Sequence, residues 1–196
     1  RTVIVQAVAA AMGALAAGVL SKIDYRMLTK LWKLHSALGY GLVLLTVIIG
    51  QGTPERPGDK SWLVIPGVTS IQPSEFLKIS FILALAYHIY MVRDQINQPA
   101  TLLAICAHGA LPVLLIHIQG DDGSALVFVF IFVAMVFAAG LNWVYIISAV
   151  VAMVIASPLV WIFVMNPDQK QRILALYDPN ADVRGILYQQ YNAKLA

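Results

Sequence analysis

Two short polar stretches interrupt a mostly apolar chain, and they hold the residue types best suited to chemistry. The first reads Ser70-Ile71-Gln72-Pro73-Ser74-Glu75-Phe76-Leu77-Lys78. Pro73 fits the first turn of a helix, where its missing N–H is no loss. Glu75 then falls in that turn, where the helix dipole favours a carboxylate. Lys78 is three residues on and shares the same face. A carboxylate and an ammonium so placed at the edge of an apolar run can pair and set the charge of a wet cavity. The plainer alternative is that each long side chain reaches for the interface on its own.

The second stretch is Gln119-Gly120-Asp121-Asp122-Gly123-Ser124-Ala125-Leu126. Its glycines permit a tight reversal, and Ser124 or Asp122 is expected to cap the helix that follows. Adjacent carboxylates offer oxygen ligands to a divalent cation such as Mg or Mn, although capping and solubility explain them as well. His88, His108 and His117 lack the i, i+4 spacing of a shared metal site, so each is expected to be a polar contact between helices and no metal site is assigned. Cys106 lies inside an apolar run and reads as a buried, inert thiol. No Walker loop, GxSxG elbow or HExxH occurs, which argues against nucleotide-driven chemistry and serine hydrolysis.

The elements that must hold these groups are set by composition. Of 196 residues, 60% are apolar and 12% charged, and the mean hydropathy is +0.78. The apolar residues occur all round rather than in one stripe, in six runs at 3–20, 34–50, 76–91, 101–118, 125–140 and 143–165. About 20 such residues cross a hydrocarbon core of roughly 30 Å. The fold class expected is therefore all-α, a polytopic transmembrane helical bundle.

The net charge of +3 rests on 13 basic residues. Lys22, Arg26, Lys30 and Lys33 all fall in the short segment 21–33, and membrane topology accounts for them better than a nucleic-acid partner does. If that segment is cytoplasmic, alternation places 51–74, 119–124 and 166–196 outside. Chemistry is expected on that outer face, where the longer polar segments gather. Two domains follow: a transmembrane bundle over 1–165, and an interfacial outer segment over 166–196 that mixes Arg172 and other charges with aromatic and aliphatic residues. With Arg1 already at the edge of a span, the chain is expected to be truncated at both ends.

The stretch 70–78 resembles the QPSExxK motif of the shape, elongation, division and sporulation (SEDS) family, whose rod-shape (RodA-like), septal (FtsW-like) and sporulation (SpoVE-like) members are polytopic. Residues 119–126 are similar to that family's Q-P-D-L-G-T-A-L hairpin. Gln171-Arg172-Ile173, Tyr177-Asp178-Pro179 and 185–189 resemble its QR, DP and GxGYQ tract, and Ile23-Asp24-Tyr25 its inner-loop I-D-Y. The likeness runs along essentially the whole chain, favours the RodA-like members, and would make the six runs the family's second to seventh spans of ten. Departures are Ser61 before Trp62 where Arg is usual, Gly120 in place of the hairpin Pro, and Asp122 in place of an apolar residue.

The resemblance implies a peptidoglycan glycosyltransferase of the bacterial cytoplasmic membrane, polymerising lipid II beside a class B penicillin-binding protein, for elongation, division or sporulation. It implies that Glu75 and Lys78 line a cavity, and that the presumed catalytic Asp, in an H-[TS]-D-F motif, lies beyond Ala196. A fragment without that Asp is expected to bind or assemble but not to polymerise. Gln72, Ser74, Asp121 and Arg172 complete the substrate-cavity candidates. Two other classes remain open: a flippase or transporter for a lipid-linked sugar, and a non-catalytic scaffold for the penicillin-binding partner.

Overall fold

The computed structural model describes residues 2–52, 58–65 and 69–174. Among them run α1 (Thr2–Leu20), α2 (Tyr25–Lys30), α3 (Trp32–Ile49), β1 (Leu63–Ile65), β2 (Thr69–Ile71), α4 (Pro73–Val92), α5 (Pro99–Ile118), α6 (Asp122–Ala138), α7 (Trp143–Leu159) and α8 (Pro167–Leu174). All six apolar runs are helices. A helix satisfies its backbone polar groups internally, as hydrocarbon requires. Four of them are long and apolar enough to cross a membrane: α3, α4 with its 3-10 extension to Gln95, α5, and α7 with the π-helical turn Val160–Val164. α1 and α6 supply two shorter apolar helices.

Two segments read from the sequence as loops carry regular structure. Within 21–33, Asp24 caps α2 by accepting the Arg26 N–H at 2.9 Å, and α3 already begins at Trp32. Within 51–74, β1 and β2 form a small antiparallel hairpin in register Leu63↔Ile71, Val64↔Ser70, Ile65↔Thr69. Among the described residues the helical fold thus carries one short sheet.

The chain divides into two compact units, Arg1–Gly140 and Leu141–Ala196. The sequence boundary at 165 marks a change of composition, whereas this one marks a change of packing. In the first unit α4 is the central helix, packed on α2, α3, α5 and α6. Leu77, Phe81, Ala84 and Leu85 of α4 are buried with Val43, Ile105, Ile116 and Phe128, and the Phe81 and Phe128 rings sit 5.5 Å apart. Small residues allow this approach, as is usual between membrane helices. A Cβ at Gly39 would lie 3.0 Å from Leu77 Cδ1, and one at Gly109 only 2.4 Å from the Phe132 ring.

In the second unit Asn142 caps α7 by accepting the Val144 N–H at 3.0 Å. α7 has no buried residue among those described, and α8 follows as a short helix at the start of 166–196. Residues 175–196, with the Tyr177-Asp178-Pro179 and 185–189 resemblances, lie outside the described residues.

Candidate functional site at one end of the bundle

The local geometry of the first motif follows its sequence. Gln72 is extended, Pro73 occupies the first helical turn, and Glu75 falls in that turn of α4. Lys78 Nζ donates to Glu75 Oε1 at 2.7 Å, so the expected pair is formed. It is not buried as a unit. The Lys78 side chain is 19% exposed and that of Glu75 60%: three-residue spacing stacks both on one face, but Glu75 sits at the rim where the helix starts. Ser74 is turned inward, 2% exposed, and its Oγ has no hydrogen-bond partner among the described residues. A buried hydroxyl without a partner is unfavourable by about 1–3 kcal/mol.

The second motif folds into a turn that only glycine permits. Gly120 has φ +87°, and a Cβ there would lie 2.8 Å from Asp59 Oδ1, so both conformation and space exclude a side chain. Asp121, rather than Ser124 or Asp122, is the cap of α6. Its Oδ1 accepts the Ser124 N–H at 3.1 Å. Position decides this: the turn ends one residue earlier than the glycine pattern suggested, which leaves Asp122 inside the helix, where its Oδ1 meets His117 Nδ1 at 2.5 Å.

The fold brings the two motifs together. Gln72 Nε2 donates to Asp121 Oδ2 at 2.7 Å, so one carboxylate caps α6 with one oxygen and holds the start of α4 with the other. Gln119, which sequence reasoning passed over, is the buried staple beneath this contact. Only 3% exposed, it donates through Nε2 to the Val43 carbonyl at 2.9 Å and to Thr46 Oγ1. Its backbone carbonyl accepts the Lys60 N–H at 2.8 Å. The antiparallel Gln51–Trp62 bridge joins the chain just after α3 to the residue before β1, and Ser61 is buried beside it. The available signal was an amide directly after an apolar run, a costly place for a polar group unless it is satisfied.

The remaining candidates divide, and Cys106, expected to be buried, is instead exposed on α5, because an apolar helix also presents apolar residues on its outer face. His88 and His108 are a helix–helix contact, as expected, with their Nδ1 atoms 3.0 Å apart. His35, unremarked in the sequence, bridges Ser80 Oγ at 2.6 Å and the Leu28 carbonyl at 3.2 Å. The backbone of Arg172 belongs to α8 in the second unit, and its side chain lies outside the described residues. No group of three His, Cys, Asp or Glu side chains converges on a metal-binding point among the described residues.

A bundle of apolar helices, closed at one end by a hydrogen-bonded knot of Gln72, Gln119 and Asp121 with a lysine–glutamate pair at its edge, defines a multi-pass membrane protein. The chain belongs to the FtsW, RodA and SpoVE family of cell cycle proteins, which matches residues 1–196. This is the family resembled by the sequence motifs. It is similar to the probable peptidoglycan glycosyltransferase FtsW of Trichlorobacter lovleyi, with 31% identity over 97% of this chain and 49% of that protein. It is also similar to peptidoglycan glycosyltransferase MrdB of Escherichia coli K12, with 29% identity over 79% of this chain and 41% of that protein. These near-equal identities do not separate the two branches. Among solved structures, a chain of a peptidoglycan synthase complex that coordinates polymerization and crosslinking superimposes with a TM-score of 0.72, 29% identity, over 97% of this chain and 55% of that one. The rod shape determining protein RodA of Thermus thermophilus gives 0.61 at 27% identity, over 76% and 48%. The chain spans about half the length of the curated relatives it matches.

Proposed function

We propose that the chain is the membrane-embedded substrate-cavity part of a peptidoglycan glycosyltransferase that polymerises lipid II at the outer face of a bacterial cytoplasmic membrane, in a complex with a class B penicillin-binding protein. The observation that carries this reading is the junction of the two motifs through Gln72 and Asp121, beside the Lys78–Glu75 pair. Family membership and relatives named as peptidoglycan glycosyltransferases support it, and the similarity to a synthase complex supports a partner.

In the proposed reaction a sugar hydroxyl attacks the anomeric carbon of the lipid-linked donor. The new glycosidic bond forms as the bond to the pyrophosphate breaks, the hydroxyl proton passes to a base, and the lipid pyrophosphate leaves. The base is assigned to the longer protein beyond Ala196. Lys78, oriented by Glu75, supplies positive charge where the departing phosphates develop theirs. Gln72 and Asp121 act as positioning residues that fix the start of α4, and with it the direction of Lys78. Ser74 is a structural neighbour of that turn in this reading. A divalent cation, Mg or Mn, is proposed only as a companion of the pyrophosphate: the described residues supply no cage for one, and the two carboxylates of the hairpin are already engaged by different partners.

The test is lipid II polymerisation by the full-length protein with its partner, wild type against Glu75→Ala and Lys78→Ala. Glycan chains made by the wild type and lost in the variants support the reading. Intact polymerisation in both variants removes the pair from the cavity. No polymerisation by the wild type, with transbilayer movement of the lipid in vesicles, would favour the flippase; partner binding alone would favour the scaffold.

A further inference from the structure

The end of the first unit opposite the Gln72–Asp121 knot carries an assembly that the proposed polymerase chemistry does not use. α2 lies across the far end of α4, and His35 secures it there through the Leu28 carbonyl and Ser80. The Trp32 and Tyr87 rings stack at 6.4 Å with 30° between their planes, joining the start of α3 to α4. Lys33 Nζ sits 5.7 Å from the Trp32 ring centre, and the Arg93 guanidinium 5.0 Å from that of Tyr90. Arg26 is fully exposed, and its pKa is raised first by a hydrogen bond to Tyr25, with smaller electrostatic contributions from Tyr25, Asp24 and Tyr90. Arg93 covers the Tyr90 ring, and α2, which carries Arg26, packs on α4, which carries Tyr90.

The cations at this end, Lys22, Arg26, Lys30, Lys33 and Arg93, outnumber the acidic residues Asp24 and Asp94. Asp24 is committed to capping α2, and Asp94 lies 3.7 Å from Arg93 Nε with its own side chain 90% exposed. Lys22, Arg26, Lys30, Lys33 and Arg93 are all exposed, so the charge is displayed. Met27, Leu31, Leu34 and Met91 are exposed close to it in sequence. Guanidinium groups beside aromatic rings, bordered by an apolar surface, complement a ligand with an anionic head and hydrocarbon tails.

We propose that α2 and the far end of α4 form a binding site for the phosphate headgroup of an anionic phospholipid from the adjoining leaflet, with Arg26 and Arg93 contacting the phosphate. A lipid is favoured over a soluble anion because the cations stand on an apolar wall continuous with the spans. The site is specific rather than a general consequence of positive charge, since Arg93 is held on the Tyr90 ring and α2 is fixed by His35. Phosphate recognition by arginine depends on a planar fork, so a lysine substitute retains the charge but loses the paired hydrogen bonds.

The experiment uses the full-length protein in nanodiscs of zwitterionic phospholipid, titrated with an anionic phosphatidylglycerol. Retained lipid is read by native mass spectrometry, and thermal unfolding is followed in parallel. The wild type should keep at least one anionic lipid and unfold at higher temperature as the anionic fraction rises. Arg26→Gln with Arg93→Gln should lower retention about tenfold, and Arg26→Lys with Arg93→Lys should recover only part of it. Lys22→Gln with Lys30→Gln, which removes the same formal charge from the same end, should change retention little. Equal losses in the arginine and lysine variants would overturn the site in favour of nonspecific surface charge. Equal stabilisation by soluble glycerophosphate would overturn the lipid as its source. Neither result bears on the polymerase reading, which is measured at the other end of the bundle.

Discussion

Gln72 Nε2 lies 2.7 Å from Asp121 Oδ2, a contact between residues 49 apart in sequence. It ties the first turn of α4 to the cap of α6. Because the same carboxylate also accepts the Ser124 N–H, losing either partner disturbs both helix starts.

A charge-assisted bond of this kind, partly buried, is worth about 1.5–3 kcal/mol when one partner is removed. Gln72→Ala should lower the unfolding temperature of the full-length protein, and Gln72→Glu should lower it more by setting two carboxylates together. A double-mutant cycle with Asp121→Asn should return a coupling of about 1 kcal/mol. A coupling of zero would mean that the two motifs do not meet.

The Lys78–Glu75 pair is different, because Glu75 is 60% exposed. Exposed pairs contribute roughly 0–1 kcal/mol to stability. Lys78→Met should leave thermal unfolding nearly unchanged while reducing polymerisation by the full-length protein at least about tenfold, a loss of about 1.4 kcal/mol in transition-state stabilisation. A large fall in unfolding temperature with normal turnover would reverse the assignment.

Gly120 and Gly140 separate strain from crowding. Both have positive φ, +87° and +83°, but a Cβ at Gly120 would meet Asp59 at 2.8 Å whereas one at Gly140 meets nothing within 4 Å. Alanine at Gly140 should cost about 1 kcal/mol from backbone conformation alone. Alanine at Gly120 should cost more, and Asp59→Ala should recover part of the difference, as read from thermal unfolding of the single and double variants.

Gln119→Leu should destabilise the protein by about 1–3 kcal/mol, because the buried amide that joins α3 to the hairpin is lost. Thr46 Oγ1 also donates to the Val43 carbonyl at 2.6 Å, so that carbonyl keeps one partner and the effect should lie toward the lower end. Hydrogen exchange at Lys60, whose N–H reaches the Gln119 carbonyl, should quicken in the same variant.

Much of this arrangement is legible in the sequence alone. The six apolar helices, four of them long enough to cross a membrane, are readable because an all-round apolar run about 20 residues long has few alternatives to a membrane helix. The Glu75–Lys78 pairing was readable because helical periodicity alone brings residues three apart together. Short polar segments were read less well. α2 and the hairpin of β1 and β2 are too brief for periodicity to show, and they exist because α4, Gln51 and their other neighbours hold them.

What the sequence determined by itself is everything local: the helical membrane class, the basic end, the glycine-bearing turn and the one-face pairing of Glu75 with Lys78. What only the tertiary structure decided is which distant groups meet. That Asp121 rather than Ser124 caps α6, that Gln119 reaches Val43 and Thr46, and that Gln72 closes on Asp121 depend on the stagger of α3, α4, α5 and α6. That stagger is set by close contacts at residues such as Gly39 and Gly109. No linear pattern encodes it, because the partners are brought together by the mutual packing of whole helices rather than by the spacing of residues along any one of them.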